Sequence, residues 1–166
     1  MAAGATYTPI ATTTLGSAAA SYTFSSIHST YTDLILVFNG SASSGTPFTT
    51  LRFNGDTATN YSDTTLSGNG TSASSGRDSS TTFIYVSGAD TLSTGMSQLI
   101  VNFQNYSNTT TYKTALARSA NAANGTSAAV GLWRSTAAIN SITVMLNSAS
   151  NYAAGSTFTL YGIAAA

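Results

Sequence analysis

Short segments in which apolar residues recur at every second position run through most of the chain, separated by stretches of small polar residues. In residues 97–104, for example, Leu99, Val101 and Phe103 fall on one face. A period of two is typical of β-strands, whereas an amphipathic helix repeats every three or four residues. The pattern predicts eight or nine strands, within residues 22–27, 33–39, 48–53, 82–87, 97–104, 112–119, 128–134, 141–146 and 156–163.

The predicted strands follow one another at intervals of roughly 10 to 20 residues, a spacing typical of all-β sandwiches and barrels. We therefore predict an all-β fold: a single-domain antiparallel β-sandwich, for which a jelly roll of about eight strands in two packed sheets fits best. Residues 33–39 are apolar on both faces, with Leu36 on one and Ile35 and Val37 on the other. Such a strand is expected at the centre of a sheet that is covered on both sides.

Polar stretches predict the connections and the domain boundary. Residues 62–80 consist largely of Ser, Thr, Gly and Asn and predict a long surface loop; residues 121–127 predict a turn and residues 147–155 another polar loop. Residues 1–21 are rich in Ala and Thr and poorly patterned, which predicts an N-terminal arm before a sandwich domain at residues 22–166. The arm is either an attachment segment that adds a strand to a neighbouring protein or a frayed terminus.

Composition excludes several classes of protein. Five small residue types (Ser, Thr, Ala, Gly and Asn) supply 107 of the 166 residues, and charged residues make up only 6%. Without a basic patch, binding to nucleic acid or to an anionic membrane surface is not expected. The longest apolar run, residues 34–38, is much shorter than the ~20 residues of a transmembrane helix. The absence of cysteine excludes disulfides and thiolate sites, and the N-terminus does not read as a secretory signal, so synthesis in a cytoplasm is expected.

Ordinary catalytic chemistry has few residues to work with. His28 is the only histidine and lies in a turn-like stretch where a surface position is expected, and the chain has no G-x-S-x-G elbow. There is no Glu, and the five Asp residues lie mostly in turn-rich surroundings rather than as the paired carboxylates of a glycosidase. We therefore predict no enzymatic activity and no cofactor.

Three oxygen-bearing side chains lie close together in the sequence and are candidates for a metal site. Asp56, Asn60 and Asp63 could gather around a calcium ion. Their spacing does not match an EF-hand loop, and an Asx-rich turn accounts for the same residues. We therefore predict no metal site.

Aromatic residues are the main candidates for contact with a partner. Tyr and Phe among Ser, Asn and Gly resemble the composition of binding loops, although cross-strand packing in a β-protein uses the same residues. Trp133 could anchor an interface or a sugar, or could belong to the core. Arg52 and Arg118 lie in predicted strands and are expected to pair with Asp or to reach another subunit. The candidate interaction residues are Tyr7, Tyr22, Tyr61, Trp133, Arg134 and Tyr152.

Six stretches of the sequence carry a further signal because they occur in a fixed order along nearly the whole chain. They are residues 22–34, 51–56, 60–62, 112–114, 133–142 and 155–163, the last of which reads GSTFTLYGI and is the most characteristic. Together they resemble the small virion structural proteins of tailed bacteriophages. This resemblance implies a virion β-sandwich without catalysis, placed on the head or the tail of the particle.

On this resemblance, the leading hypothesis is a capsid decoration or cement protein that binds the major capsid protein at the outer surface of the head and stabilises the lattice. The alternative is a tail-fibre or receptor-binding module, whose polar loops would meet a host glycan with Tyr61, Tyr152 or Trp133 stacking on the sugar. Zero formal net charge removes the repulsion that keeps monomers apart. We therefore expect a homo-oligomer located on the virion, a trimer by analogy with other jelly-roll virion proteins.

Overall fold

Twelve strands make up the computed structural model, which describes residues 6–88 and 91–164. All nine predicted segments coincide with a strand to within three residues at each end, although the strand within residues 82–87 has only two residues. The strands are β1 (Tyr7–Thr14), β2 (Ser21–Phe24), β3 (Asp33–Gly40), β4 (Thr49–Phe53), β5 (Tyr61–Gly68), β6 (Ala73–Thr81), β7 (Ile84–Tyr85), β8 (Ser97–Phe103), β9 (Lys113–Asn121), β10 (Gly125–Trp133), β11 (Ile142–Leu146) and β12 (Thr157–Ile163).

The strands form two antiparallel sheets, which confirms the predicted all-β sandwich. The larger sheet has eight strands in the order β1-β12-β3-β8-β9-β10-β5-β6, and the smaller has four in the order β2-β11-β4-β7. Four of the pairings are nested, because β1 pairs with β12, β2 with β11, β3 with β8 and β4 with β7. Successive nested pairs alternate between the sheets, so these eight strands are one long hairpin folded into a jelly roll.

Two inserted hairpins widen the larger sheet. The β5–β6 hairpin lies between β4 and β7 in the sequence, and the β9–β10 hairpin lies between β8 and β11. Because β9 pairs with β8 and β10 pairs with β5, the four inserted strands continue the sheet beyond the jelly roll. We call β9, β10, β5 and β6 the extension.

The extension contains the region that the sequence predicted as a long loop, and that prediction is wrong. Residues 62–80 form most of β5 and β6, joined by a turn in which Asn69 Oδ1 accepts hydrogen bonds from the backbone N–H groups of Thr71 and Ser72. The first eight residues of β6 are all exposed, so no apolar side chain marks a period of two. Backbone pairing with β5, rather than burial, defines this strand.

The segment predicted as an N-terminal arm also contains a strand. β1 pairs with β12 along its whole length and forms one edge of the larger sheet. Thr12 and Thr14 hydrogen-bond across the pair to threonines of β12 at 3.2 and 3.1 Å, and Ile10 packs against the core. Residues 7–14 therefore belong to the sandwich, which corrects the predicted boundary, while residues 1–5 of the predicted arm lie outside the described residues.

β3 is central, as predicted, but only one of its faces is covered by a second layer. Leu34, Leu36 and Phe38 point into the core between the two sheets. Ile35 and Val37 lie on the other face of the larger sheet, against which no described element packs as a second layer. A second sheet therefore covers only one of the two faces, which corrects the expectation, although Ile35 is only 9% exposed and Val37 is half-buried.

Candidate interaction surface

The side of the eight-stranded sheet that is turned away from the four-stranded sheet is the candidate site, and we call it the outer face. Residues directly opposite each other in antiparallel strands share a face, so the strand registers define which side chains lie there. One cross-strand row contains Val37, Ile100, Arg118, Ala128 and Leu66. The neighbouring row contains Ile35, Asn102, Leu116, Val130, Thr64 and Arg77.

Three large apolar side chains on the outer face of the extension are exposed to solvent. The exposed fractions are 59% for Leu66, 56% for Leu116 and 48% for Val130. Leu116 and Val130 are direct cross-strand partners, and Leu66 lies diagonally across from Val130 on β5. We call these three residues the apolar patch. The open side of an antiparallel sheet is ordinarily polar, so a cluster of this kind is typical of a surface that contacts another molecule.

Arginines lie beside the apolar patch on the same face. Arg118 of β9 and Arg77 of β6 are both exposed. Arg134, which follows β10 and is a candidate from the sequence, donates a hydrogen bond to the Ser62 hydroxyl on this face at 3.1 Å. Three of the five basic residues of the chain therefore lie on one side of the extension.

The other two basic residues are engaged elsewhere. Lys113 is buried at the start of β9, where its Nζ donates to the Thr111 and Thr136 carbonyl oxygens at 2.7 and 3.2 Å. Burial lowers the pKa of this lysine. Arg52 Nε donates to the Thr82 carbonyl oxygen at 3.1 Å, and Arg52 lies close enough to Asp56 for its charge to act on that carboxylate.

The carboxylates lie away from the apolar patch. Asp63 and Asp78 are cross-strand partners on the opposite face of β5 and β6. Asp33 lies at the far end of β3, where it accepts a hydrogen bond from the Asn105 N–H at 2.7 Å, and Asp90 lies outside the described residues. The formally neutral chain therefore separates its charge, with arginines on the outer face of the extension and carboxylates on the reverse.

The reverse of the extension packs on β7 and on the segment that follows it. Ile84 lies against Gly131 so closely that a Cβ at residue 131 would overlap the Ile84 side chain. Further along β10, Ser127 Oγ accepts a hydrogen bond from the Gly88 N–H at 2.7 Å and lies 2.6 Å from Ser119 Oγ. Ile84, together with small residues joined by hydrogen bonds, thus supports the sheet beneath the apolar patch.

Asp63 is the one buried carboxylate in this supporting layer. It is only 4% exposed, and its Oδ2 accepts a hydrogen bond from the Tyr85 N–H at 3.1 Å. Burial raises the pKa of Asp63 to about 6, and the neighbouring carboxylate of Asp78 adds to this effect. The carboxyl group therefore changes charge close to neutral pH.

Three of the six aromatic and basic candidates from the sequence are core residues. Trp133 is 2% exposed, and Tyr61 and Tyr152 are fully buried. The Trp133 and Tyr61 rings stack at a centroid distance of 6.2 Å, and Tyr152 packs against Phe38 at 5.2 Å. A ring that is enclosed on both sides cannot stack on a sugar, so these three residues are corrected from interaction candidates to core.

The other aromatic candidates differ from each other in exposure. Tyr7 is 54% exposed on β1, and its ring meets that of Tyr161 edge-on at 6.2 Å. Tyr22 is half-buried and packs its ring between Phe24 and Phe158 at 4.9 and 5.5 Å. Tyr7 and Arg134 are thus the sequence candidates that remain accessible on the larger sheet, but Tyr7 lies at its opposite edge from the extension.

The three residues considered for calcium do not converge on one point. Asp56 Oδ2 accepts hydrogen bonds from Trp133 Nε1 at 2.7 Å and from Asn60 Nδ2 at 2.9 Å. The hydrogen bond from Asn60 is the main reason that the pKa of Asp56 is lowered. Asp63 instead faces Tyr85. Among the described residues, no three His, Cys, Asp or Glu side chains are grouped closely enough to hold a metal ion.

His28 is exposed in the segment between β2 and β3, and its carbonyl oxygen accepts a hydrogen bond from the Tyr106 hydroxyl. Within residues 6–88 and 91–164 there is no helix of the length and apolar character needed to cross a membrane.

Sequence reasoning did not select the apolar patch or Arg77. Leu116 and Arg118 do alternate in a predicted strand, but alternation alone does not say which face is covered. One feature of the sequence did point towards this face. Residues 33–39 are apolar on both faces, and Ile35 and Val37 lie on the same outer face as Leu116. Comparison with family models, with curated proteins and with solved structures gave no match.

Proposed function

We propose that this protein is a virion structural protein of a tailed bacteriophage, a capsid decoration protein that binds the outer surface of the head. The observation that carries the proposal is the open outer face, on which Leu66, Leu116 and Val130 are about half exposed beside the exposed arginines of β6 and β9. Exposed apolar side chains clustered on a sheet are typical of a contact surface. The phage-like order of sequence stretches supports placing that contact on a virion.

A role in contact rather than catalysis is supported by how the polar residues are used. Asp56 is held by Trp133 and Asn60, and Asp63 is enclosed beneath the extension. Hydrogen bonds of these two carboxylates join parts of the fold to each other. Their arrangement accounts for the conformation of the loop after β4 and for the contact between β5 and β7.

The mechanism would be mass action. A protein that binds the assembled shell, and not its separated subunits, stabilises the shell by the free energy of that binding. A rigid eight-stranded sheet suits this task because it presents its contact residues without an ordering cost at the moment of binding. In a homo-oligomer, each copy would add its own contacts with the shell, so the assembly would bind more tightly than one copy alone.

The test is to count and locate the protein in purified virions. Quantitative mass spectrometry, with a major capsid protein as the internal standard, should find hundreds of copies per particle. After heads and tails are separated, the protein should remain with the heads. A few tens of copies or fewer, retained on the tails, would instead favour the tail-fibre alternative, and absence from purified virions would refute a virion role altogether.

A further inference from the structure

We propose that the outer face of the extension docks on a protein surface that carries carboxylates around an apolar centre, and that Arg118 is the main polar contact. This inference rests on the proposed function, since the partner would be the capsid shell. The docking residues are the apolar patch together with Arg118 and Arg77.

Arg118 and Arg77 lie on the outer face on either side of the apolar patch, whereas Asp63 and Asp78, the residue that follows Arg77, lie on the reverse of β5 and β6. Three strand spacings and two residues separate their Cα positions, a distance of roughly 16 Å by ordinary sheet geometry. Asp33, the described carboxylate on the outer side of β3, is also roughly 16 Å from Arg118 by the same measure and already binds Asn105. A complementary partner must therefore supply the carboxylates itself.

The surface relief around Arg118 suits protein side chains. A shallow depression on one side, of about 380 Å³, is lined by Leu66, Ala73 and Ala128. A second, of about 210 Å³, is lined by Ile100 and Ala120 on the other side. Arg118 lies between the two depressions and lines both. An arginine between two apolar hollows is a typical centre of a protein interface, where arginine is enriched and aliphatic contacts exclude water.

A second copy of this chain is a poor occupant. If two copies met through their outer faces, the interface would enclose the arginines of both without a carboxylate to balance them, and buried unpaired charge is costly. The reverse of the extension does expose Asp78, but its neighbours on β5 and β6 are polar or small: Asp63 directly across, and Thr, Ser and Gly around them. That side therefore offers charge without the apolar complement that Leu116 and Val130 require.

Nucleic acid is also a poor occupant. Nucleic-acid surfaces combine closely spaced basic residues with aromatic rings on which bases stack. The apolar patch contains only aliphatic side chains, and the two exposed arginines lie far apart on the sheet. The chemistry of the face therefore favours a folded acidic protein surface.

The experiment is a binding assay on virion particles assembled without this protein. Purified wild-type protein is titrated onto the particles, and the bound copies are counted after sedimentation. Two patch variants are compared: Arg118→Glu combined with Arg77→Glu, and Leu66→Thr combined with Leu116→Thr. All four residues are exposed strand positions, so the fold should be retained, and unfolding by urea checks this. Ser74→Glu is the control, because it adds a carboxylate to the opposite face of β6.

The expected result is saturable wild-type binding that the arginine reversals weaken by at least about tenfold and the leucine replacements weaken to a similar degree, with Ser74→Glu unchanged. If wild-type protein binds and the patch variants bind equally well, the docking surface is wrong while the proposed function stands. If wild-type protein binds no part of the particle, the proposed function fails as well.

Two further results would name a different occupant and overturn the inference. One is that the leucine replacements dissociate an oligomer of the isolated protein, measured by analytical ultracentrifugation, without changing particle binding. That result would assign the face to a second copy. The other is binding of the wild-type protein to a duplex DNA fragment that the arginine reversals abolish.

Discussion

Replacing the buried carboxylate of Asp63 by an amide should stabilise the protein at neutral pH. Asp63 is only 4% exposed, and burial raises its pKa from 3.8 to about 6. Asn has nearly the same shape, and its side-chain oxygen can still accept the hydrogen bond from the Tyr85 N–H. Asp63→Asn therefore removes a buried negative charge while keeping the contact between β5 and β7.

The size and sign of the effect follow from the pKa of Asp63. Because the folded state holds this proton more tightly than the unfolded state, the folded state is favoured below about pH 4 and loses that advantage as pH rises through 6. A difference of about two pKa units corresponds to about 3 kcal/mol, which is an upper limit on the gain at pH 7.5. The new amide N–H groups need partners, and leaving them without any costs about 1 to 3 kcal/mol, which reduces the net gain to about 0 to 2 kcal/mol.

The assay is urea unfolding at pH 4.5, 6.0 and 7.5, followed by the fluorescence of Trp133, the only tryptophan and a buried one. The pKa of Asp56 is lowered from its ordinary value of 3.8, so Asp56 affects stability only at pH values below this range. The pH dependence measured here therefore reports on Asp63. The wild-type free energy of unfolding should fall between pH 4.5 and 7.5, and that of Asp63→Asn should vary much less. Asp78→Asn is the comparison variant: its exposed carboxylate on the neighbouring strand is only a secondary cause of the raised pKa of Asp63, after burial, so this variant should keep most of the wild-type pH dependence. An Asp63→Asn protein that is less stable than wild type at pH 7.5 would refute the reasoning.

Three other substitutions or deletions test the fold. Gly131→Ala should lower the free energy of unfolding by about 1 to 3 kcal/mol, because the new Cβ would lie 2.9 Å from Ile84 Cδ1 and nearer still to its Cγ2. Urea unfolding measures this loss, and partial recovery of stability when Ile84→Val is added would show that Ile84 causes the clash. A Gly131→Ala protein as stable as wild type would contradict the prediction. Tyr152→Phe should leave the free energy of unfolding unchanged or raise it by up to about 1 kcal/mol. The reason is that the buried Tyr152 hydroxyl forms no hydrogen bond with a described residue; Thr49 lies near it as a polar neighbour without bonding to it. A loss above about 1 kcal/mol in thermal unfolding would mean that the hydroxyl does have a partner. Deleting residues 1–14 removes β1 and exposes the edge of β12, so the protein should aggregate or unfold at a lower temperature; a truncated chain with unaltered thermal unfolding would show that residues 7–14 act as a separate arm.

The sequence determined the fold class because apolar residues at alternate positions have few other solutions. In strands such as β8 and β11, alternation identified the element and its buried face. Three strands escaped detection for a physical reason. β5 and β6 pair with each other and consist mostly of Ser, Thr and Gly, and β1 is rich in threonines that contact both the sheet and the solvent, so none of the three shows an apolar period.

Tertiary structure decided which faces are covered, and with them the candidate site. Sequence analysis weighed Trp133 both as a core residue and as a contact residue, and the packing of Tyr61 and Phe53 against it made it core. The fold left Leu66 and Leu116 exposed on the outer face, although an apolar side chain in a strand looks the same in the sequence whether a second sheet or a partner covers it. Alternation of apolar and polar residues shows which side chains share a face of a strand. Whether another layer covers that face depends on contacts between strands that are far apart in the chain. The sequence by itself therefore determined a neutral, charge-poor β-sandwich, and only the fold placed the arginines around an apolar patch.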